Sequence, residues 1–205
     1  MNIYYKVSAA FALLFFAVGA YAVPIEATYS VDANNGDGLL IETSDASPNP
    51  FIYNLMLGES QTFGLFNIYT NEGSVNLDDL VGRDIFVDFG FIQPEAGNAV
   101  VTGETDGRFR AIVFQQGRVQ WDGPQLFSYG GDGLIEVALQ DATFNTGLFG
   151  LDGGEANGAT IFATLTLRNE ATLADVPEPG VMALFALALI GMGFAARRQK
   201  NAPRI

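Results

Sequence analysis

The segment Asp-Ala-Asn-Asn-Gly-Asp-Gly at residues 32–38 has the composition of a calcium-binding loop. Such loops place carboxylate and amide oxygens at alternate positions around the cation, which makes Asp32, Asn34 and Asp37 candidate ligands. The EF-hand pattern fails, because Asp37 stands where that pattern needs its glycine and Thr43 replaces its final Glu. Since Asn and Gly also favour tight turns with positive φ, a structural turn is the preferred interpretation. Calcium is the only cofactor that the residues suggest.

Other chemistry is restricted by composition, because the chain contains no cysteine and no histidine. Thiol catalysis, His-based triads and zinc sites built from Cys or His are therefore excluded, and so are stabilising disulfides. Two carboxylates alone suffice for glycoside hydrolysis, but nothing in the sequence pairs two particular acids. A glycoside-active enzyme is thus a remote alternative, and we expect no catalytic residue. The acidic turns at Asp78-Asp79, Asp132 and Asp152 have the same two interpretations as residues 32–38.

Two aromatic residues, Trp121 and Tyr129, are candidates for stacking on sugar rings. Strand alternation places Trp121 on the same face as Val119, which favours burial in the core over a carbohydrate-binding face. A carbohydrate site is therefore the weaker of the two interpretations.

The charge of residues 23–175 is strongly acidic. This part of the chain has five arginines and no lysine against 22 of the 23 acidic residues, a net charge of −17. Nucleic acids and anionic lipids bind through phosphate neutralisation by Lys or Arg, so we expect no nucleic-acid partner. The negative charge favours the solubility of an exported protein. It is compatible with divalent cations or neutral polymers as partners.

The N-terminus has the pattern of a secretory signal peptide. Lys6 precedes a short apolar run, and the run ends in the small-x-small sequence Ala20-Tyr21-Ala22 that signal peptidase recognises. An uncleaved membrane anchor is less favoured, because the run is short for a membrane span and Glu26 follows closely. We predict that residues 1–22 form a signal helix that is removed, so that the mature chain starts at Val23.

The C-terminus has the pattern of a transmembrane helix. Residues 180–196 are 17 consecutive apolar residues, about 25 Å of helix at about 1.5 Å per residue, near the lower limit for a bilayer core. The absence of a polar face argues against a core helix. A basic tail, residues 197–205, follows directly and predicts a stop-transfer cluster on the cytoplasmic side of the inner membrane: Arg197, Arg198 and Lys200.

The last 30 residues resemble the PEP-CTERM sorting signal, in which a Pro-Glu-Pro element precedes an apolar helix and terminal arginines. The element here is Val176, Pro177, Glu178 and Pro179. The resemblance implies a Gram-negative bacterium that produces exopolysaccharide, and a membrane-embedded exosortase that cuts near this element. Signal peptidase and exosortase are the implied processing partners, and exopolysaccharide is an implied neighbour. The implied route is a transient inner-membrane anchor with the body in the periplasm, followed by release to the cell surface or outside.

Residues 23–175 predict one all-β domain. Short segments with period-2 apolar alternation recur between Gly, Asn and Asp turns, and no segment has a convincing amphipathic helical pattern. About ten such strands and many Phe residues favour a single β-sandwich of jelly-roll type, flanked by the signal helix and the transmembrane helix. The pattern also predicts a hairpin linking 26–32 to 38–44, and turns at Asp106-Gly107 and Gln116-Gly117.

Most of residues 26–168 resembles a recurring domain of PEP-CTERM proteins with no assigned activity. The resemblance rests on three segments, at residues 30–43, 65–79 and 141–160. From all these observations we expect an exported structural or adhesive protein of the cell surface or extracellular matrix. A carbohydrate- or calcium-binding surface module is the alternative.

Overall fold

The computed structural model of the chain describes residues 21–33, 38–111 and 113–172, which fold into two antiparallel sheets. The first sheet has six strands, in the spatial order β10 (Ala142–Leu148), β7 (Phe114–Trp121), β6 (Gly97–Arg110), β5 (Arg83–Gln93), β1 (Val23–Ala33) and β3 (Phe51–Leu55). The second sheet has five, in the order β2 (Glu42–Asp45), β4 (Ser60–Tyr69), β11 (Ala159–Asn169), β9 (Gly133–Leu139) and β8 (Gln125–Tyr129). A short 3-10 turn, Glu155–Asn157, precedes β11.

Both sheets bury the alternate residues of their strands between them. In β5 the inward side chains are Ile85, Val87 and Phe89, all fully buried, as the alternation predicts. Aromatic contacts join the two sheets: Phe91 of β5 stacks on Phe127 of β8 with ring centroids 4.2 Å apart and planes 6° from parallel. The predicted all-β sandwich with an aromatic core is confirmed.

The chain crosses between the sheets repeatedly. Of the ten connections between successive strands in the described part, seven pass from one sheet to the other; β5–β6, β6–β7 and β8–β9 stay within a sheet. This frequent crossing gives the sandwich its jelly-roll-like character.

The hairpin predicted for residues 26–44 is wrong, because β1 and β2 lie in different sheets. Only Glu42–Asp45 of the predicted second strand pairs as a strand. Leu39 and Ile41, which produced the alternating pattern, are buried in the core where the chain crosses between the sheets. An apolar crossing segment thus has the same periodicity as a strand.

The turns predicted at Asp106-Gly107 and Gln116-Gly117 are also wrong. β6 and β7 run through both sites, where Gly107 pairs with Gly117, and the connection lies between Arg110 and Phe114. A Cβ on Gly117 would overlap the ring of Phe144, and one on Gly107 would lie 2.9 Å from Val75. These glycines therefore make room for packing rather than for a turn.

Candidate functional site

The first described strand begins and the last described strand ends at the same end of the sandwich, which we call the tail end. Val23, the first residue of β1, pairs with Leu55. The last described residue, Thr172, donates its backbone N–H to Asp132 Oδ1 at 2.6 Å, and its hydroxyl also donates to Asp132. These hydrogen bonds hold the pKa of the Asp132 carboxyl below its usual range. Asp132 thus fastens the end of the described body, so this acidic turn has a structural role.

The tail end also includes the β5–β6 turn. The Gly130 N–H donates to Glu95 Oε2 at 2.6 Å, and Gln93 Nε2 donates to Glu26 Oε2 at 3.2 Å. β6 begins there and continues for 14 residues to Arg110. At about 3.3 Å per residue, the opposite end of the sandwich is roughly 45 Å away.

Of the predicted processing sites, the structure describes only Ala22 and Val23. Ala22 is exposed and directly precedes β1, which begins at Val23; Ala20 lies outside the described residues. The sorting element (Val176, Pro177, Glu178, Pro179), the predicted helix 180–196 and the basic cluster (Arg197, Arg198, Lys200) also lie outside them. Four residues, 173–176, separate Thr172 from Pro177 in the sequence.

The opposite end, which we call the loop end, is formed by residues 38–41, 70–82 and 149–158 together with the β6–β7 connection. Its centre is Asn145, which is fully buried and has a left-handed backbone with φ 50°. Asn145 Oδ1 accepts the Thr70 N–H at 2.9 Å, and Nδ2 donates to the carbonyls of Asp152 and Gly154 at 2.5 and 2.9 Å. One side chain therefore satisfies three backbone groups in two loops.

Asn145 was not among the residues predicted from the sequence. In its segment, residues 142–148, the consecutive residues Phe144 and Asn145 are both buried, at a register shift in the β7–β10 ladder that the sequence does not reveal. Asn tolerates a left-handed backbone better than most residues, but that tolerance does not reveal which loops its amide will join.

A second buried polar residue of the loop end is Asp79, which is fully buried in the turn at residues 76–81. Its Oδ2 accepts the Asn76 N–H at 2.8 Å, and its carbonyl accepts the Gly107 N–H at 2.7 Å. Its Oδ1 has no hydrogen-bond partner among the described residues. The turn is thereby attached to β6, at the place where Gly107 lacks a side chain.

Glu72 lies beside this turn and links it to the crossing segment. Its Oε1 accepts the Leu40 N–H at 2.7 Å. Burial raises the pKa of the Glu72 carboxyl; the Leu40 N–H counteracts this, while Asp79 and Asp78 raise it further. At neutral pH the loop end therefore holds a carboxylate whose charged form is disfavoured.

We expect Glu72→Gln to stabilise the protein at pH 7 and to lose this advantage in acid. Because the pKa of Glu72 is raised in the folded state, the charged carboxylate destabilises the fold fully above that pKa. This destabilisation disappears as the pH falls through the raised pKa. Gln keeps an acceptor for the Leu40 N–H but carries no charge. Thermal melts of both proteins between pH 4 and pH 8 test this, and a difference in Tm that does not shrink in acid contradicts it.

Of the three candidate calcium ligands, the structure describes only Asp32. Asp32 is exposed on β1, opposite Phe86, while Asn34 and Asp37 lie outside the described residues. Within residues 21–33, 38–111 and 113–172, no group of three or more Asp or Glu side chains could hold a metal ion. The calcium interpretation of residues 32–38 stays a prediction.

The two aromatic residues considered for sugar binding differ in burial. Tyr129 is buried, and its hydroxyl donates to the Asn169 carbonyl at 3.3 Å. Trp121 is half-buried beside the fully buried Val119, and its indole Nε1 donates to the Gln140 carbonyl at 3.2 Å. Tyr129 thus belongs to the core, and only part of the Trp121 ring remains accessible.

One comparison with known proteins identifies a functional element. Residues 175–199 match the family model of the PEP-CTERM protein-sorting motif. No curated protein and no solved structure matches the chain. In the part that the structure describes, no helix is long and apolar enough to cross a membrane. The motif indicates export to the cell envelope or surface through an exosortase.

Proposed function

We propose that this chain is a non-catalytic structural or adhesive protein of the extracellular matrix of a Gram-negative, exopolysaccharide-producing bacterium. Signal peptidase removes residues 1–22, the C-terminal helix holds the body on the periplasmic side of the inner membrane, and exosortase then releases it. The observation that carries the proposal is the sorting motif at residues 175–199, joined by a short link to an acidic β-sandwich.

The composition of the body supports this proposal. Without histidine or cysteine, the residues most often used as general bases and nucleophiles are missing. The acidic, lysine-free surface favours solubility during export. A stable sandwich with many exposed loops is also a common scaffold for presenting surfaces outside the cell.

The arrangement of the ends supports it as well. Because Val23 and Thr172 lie at the tail end, the loop end is the end of the sandwich farther from both chain exits. All three segments that resemble the recurring PEP-CTERM domain contribute to the loop end: residues 30–43, 65–79 and 141–160. The loop end is therefore the end at which we expect partners to bind.

Intact-mass measurement of the protein from its native host tests the proposal, in strains with and without the exosortase. We expect a species that starts at Val23 and ends near Pro177–Pro179, recovered from the matrix fraction only when exosortase is present. The same preparation should be assayed after deletion of the sorting motif, which should abolish release. Chains that extend to Ile205 and stay in the inner membrane in both strains contradict the proposal.

The alternative is a carbohydrate- or calcium-binding surface module, and a shallow groove beside Trp121 favours its carbohydrate version. The groove is lined by Arg118, Gln120, Asp141 and Thr143, whose polar groups suit sugar hydroxyls. Arg118 is positioned by Asp106, which accepts hydrogen bonds at 2.6 and 2.9 Å. Calorimetric titration with host exopolysaccharide, in EDTA and in Ca²⁺, separates the two functions, since a matrix protein of the first kind shows no saturable binding.

A further inference from the structure

Four large apolar side chains are exposed together around the β6–β7 connection at the loop end. This aromatic tip consists of Phe109, Phe114, Leu148 and Phe149, which are 51, 43, 55 and 76% exposed. Phe114 pairs with Leu148 across the β7–β10 ladder and with Arg110 across the β6–β7 ladder, so these three side chains share the outer face of the first sheet. Phe109 pairs with Gln115 and lies on the other face, and the Phe149 N–H donates to the Val113 carbonyl at 2.7 Å. Exposed apolar side chains gathered at one tip of a soluble protein are typical of an interaction site.

The backbone holds the aromatic tip in place at an energetic cost. Phe149 has φ 63° and Ala111 has φ 57°, both in the left-handed region that residues with a Cβ disfavour. Strained backbone of this kind persists where surrounding contacts impose it, and it concentrates at functional surfaces. Here it turns the most exposed aromatic ring of the tip toward solvent.

The aromatic tip is also the most basic part of the acidic body. Arg108 and Arg110, two of the five arginines in residues 23–175, flank Phe109. Arg110 is exposed, and the Arg108 side chain stays 48% exposed although it pairs with Asp106 at 3.1 Å. The tip is therefore a cationic, aromatic surface.

The tail end has an apolar surface of the opposite charge. Its exposed apolar side chains are Ile52, Met56, Leu57 and Ile92, which are 60, 48, 57 and 48% exposed. Glu26 lies opposite Ile52 on the neighbouring strand, and Glu59 Oε2 accepts the Met56 N–H at 2.8 Å. Arg168, near the end of β11, is engaged by Glu136 at 2.7 Å. The tail end is thus an anionic, apolar surface.

We propose that the aromatic tip of one molecule docks on the tail end of a second copy, so that the released protein assembles head to tail. Both surfaces are apolar and their charges are complementary, and they lie at opposite ends of one sandwich. A heterologous contact between opposite ends extends into a filament when its rotation does not close a ring. This inference rests on the proposed function. It names a second copy of the chain as the partner with which a structural matrix protein assembles.

The test is sedimentation velocity of the mature protein purified from the native host, over a range of concentrations and salt. We expect the average mass to rise with protein concentration and to fall with salt, since complementary charges contribute to the contact. Arg110→Glu makes the tip anionic, Glu26→Arg makes the tail end cationic, and each alone should weaken association at least tenfold. Asp88→Arg, a reversal on the exposed face of β5 away from both ends, is the matched control and should associate like the wild type.

A mixture of the two charge-reversal variants is the decisive experiment. An equimolar mixture of Arg110→Glu and Glu26→Arg should recover association, because each anionic surface then meets a cationic one. Circular dichroism and Tm confirm that both variants are folded. Failure of the mixture to recover overturns the head-to-tail contact, and so does a wild-type protein that is monomeric at every concentration.

If a partner other than a second copy binds the aromatic tip, the experiments give distinguishable results. If Phe149→Asp abolishes binding to host exopolysaccharide or to phosphatidylglycerol vesicles while the wild-type protein stays monomeric, self-assembly is overturned in favour of that partner. A monomer that is nevertheless released into the matrix by exosortase refutes assembly and leaves the proposed function intact. A chain that is never released refutes the proposed function itself.

Discussion

Replacing Asn145 by Asp is expected to destabilise the protein by about 3 kcal/mol or more at pH 7. The substitution exchanges one NH₂ group for an oxygen, and that oxygen then faces the carbonyls of Asp152 and Gly154 at the distances of the two present hydrogen bonds, 2.5 and 2.9 Å. Two hydrogen bonds are lost at about 1 kcal/mol each, and a buried charge is left without a donor on that side. For a domain of this size the Tm should fall by roughly 10 °C.

The effect should depend on pH in a defined direction. Burial against two carbonyls raises the pKa of the introduced carboxyl, so the destabilisation is complete above that pKa and decreases as the pH falls through it. Thermal melts at pH 7 and pH 4 measure the difference. Asn157→Asp is the matched control, because Asn157 is exposed in the same loop and its amide makes only a long hydrogen bond, 3.4 Å, to the Gly153 carbonyl.

A second variant separates backbone strain from hydrogen bonding at this position. Asn145→Gly removes all three side-chain hydrogen bonds but relieves the left-handed backbone at φ 50°. It should therefore be destabilising, though less so than Asn145→Asp at neutral pH. If Asn145→Asp melts within about 1 °C of the wild type at pH 7, the Asn145 amide does not organise the loop end.

Gly117→Ala is expected to cost about 3 kcal/mol, although it adds a single methyl group. The added Cβ would overlap the ring of Phe144, which is 1% exposed and cannot move outward. Gly117 also pairs with Gly107 within the β6–β7 ladder, so the backbone cannot shift without disturbing both strands. Overpacking of this kind typically costs about 1–3 kcal/mol and can cost more where neighbours are rigid.

Chemical denaturation of Gly117→Ala and Gly73→Ala measures this effect against a control. A Cβ on Gly73 meets no atom within 4 Å, so Gly73→Ala should change the free energy of unfolding by less than about 0.5 kcal/mol. Combining Gly117→Ala with Phe144→Leu should recover part of the loss, because the smaller side chain makes room for the methyl group. A neutral Gly117→Ala would contradict the packing role of Gly117.

The burial of residues that recur at every second position of a strand could be predicted from the sequence. Ile85, Val87 and Phe89 recur at every second position, and this alternation reports directly which side chains enter a core between two sheets. The same rule was misleading at Leu39 and Ile41, because a buried crossing segment alternates in the same way. The turn rule was misleading at Gly107 and Gly117, because these glycines satisfy a packing requirement that the local sequence does not show.

The candidate surfaces could not be predicted, because they join residues that are far apart in the chain. Asn145 meets Thr70 across 75 positions, and Thr172 meets Asp132 across 40. Phe109 and Phe149 belong to segments that are separated in sequence, and only the order of strands in the first sheet brings their ends together. A single sequence contains no periodicity that encodes such pairs.

The sequence by itself determined that the chain carries a sorting motif, that its body is an all-β domain, and that thiol and histidine chemistry are excluded. Each of these depends on composition or on local pattern, which a linear chain displays completely. Only the tertiary structure decided that Val23 and Thr172 lie at one end, that the loops gather around Asn145 at the other, and that Arg110 comes beside Phe114 and Leu148 there. These features depend on strand order and register, which long-range packing of the two sheets selects.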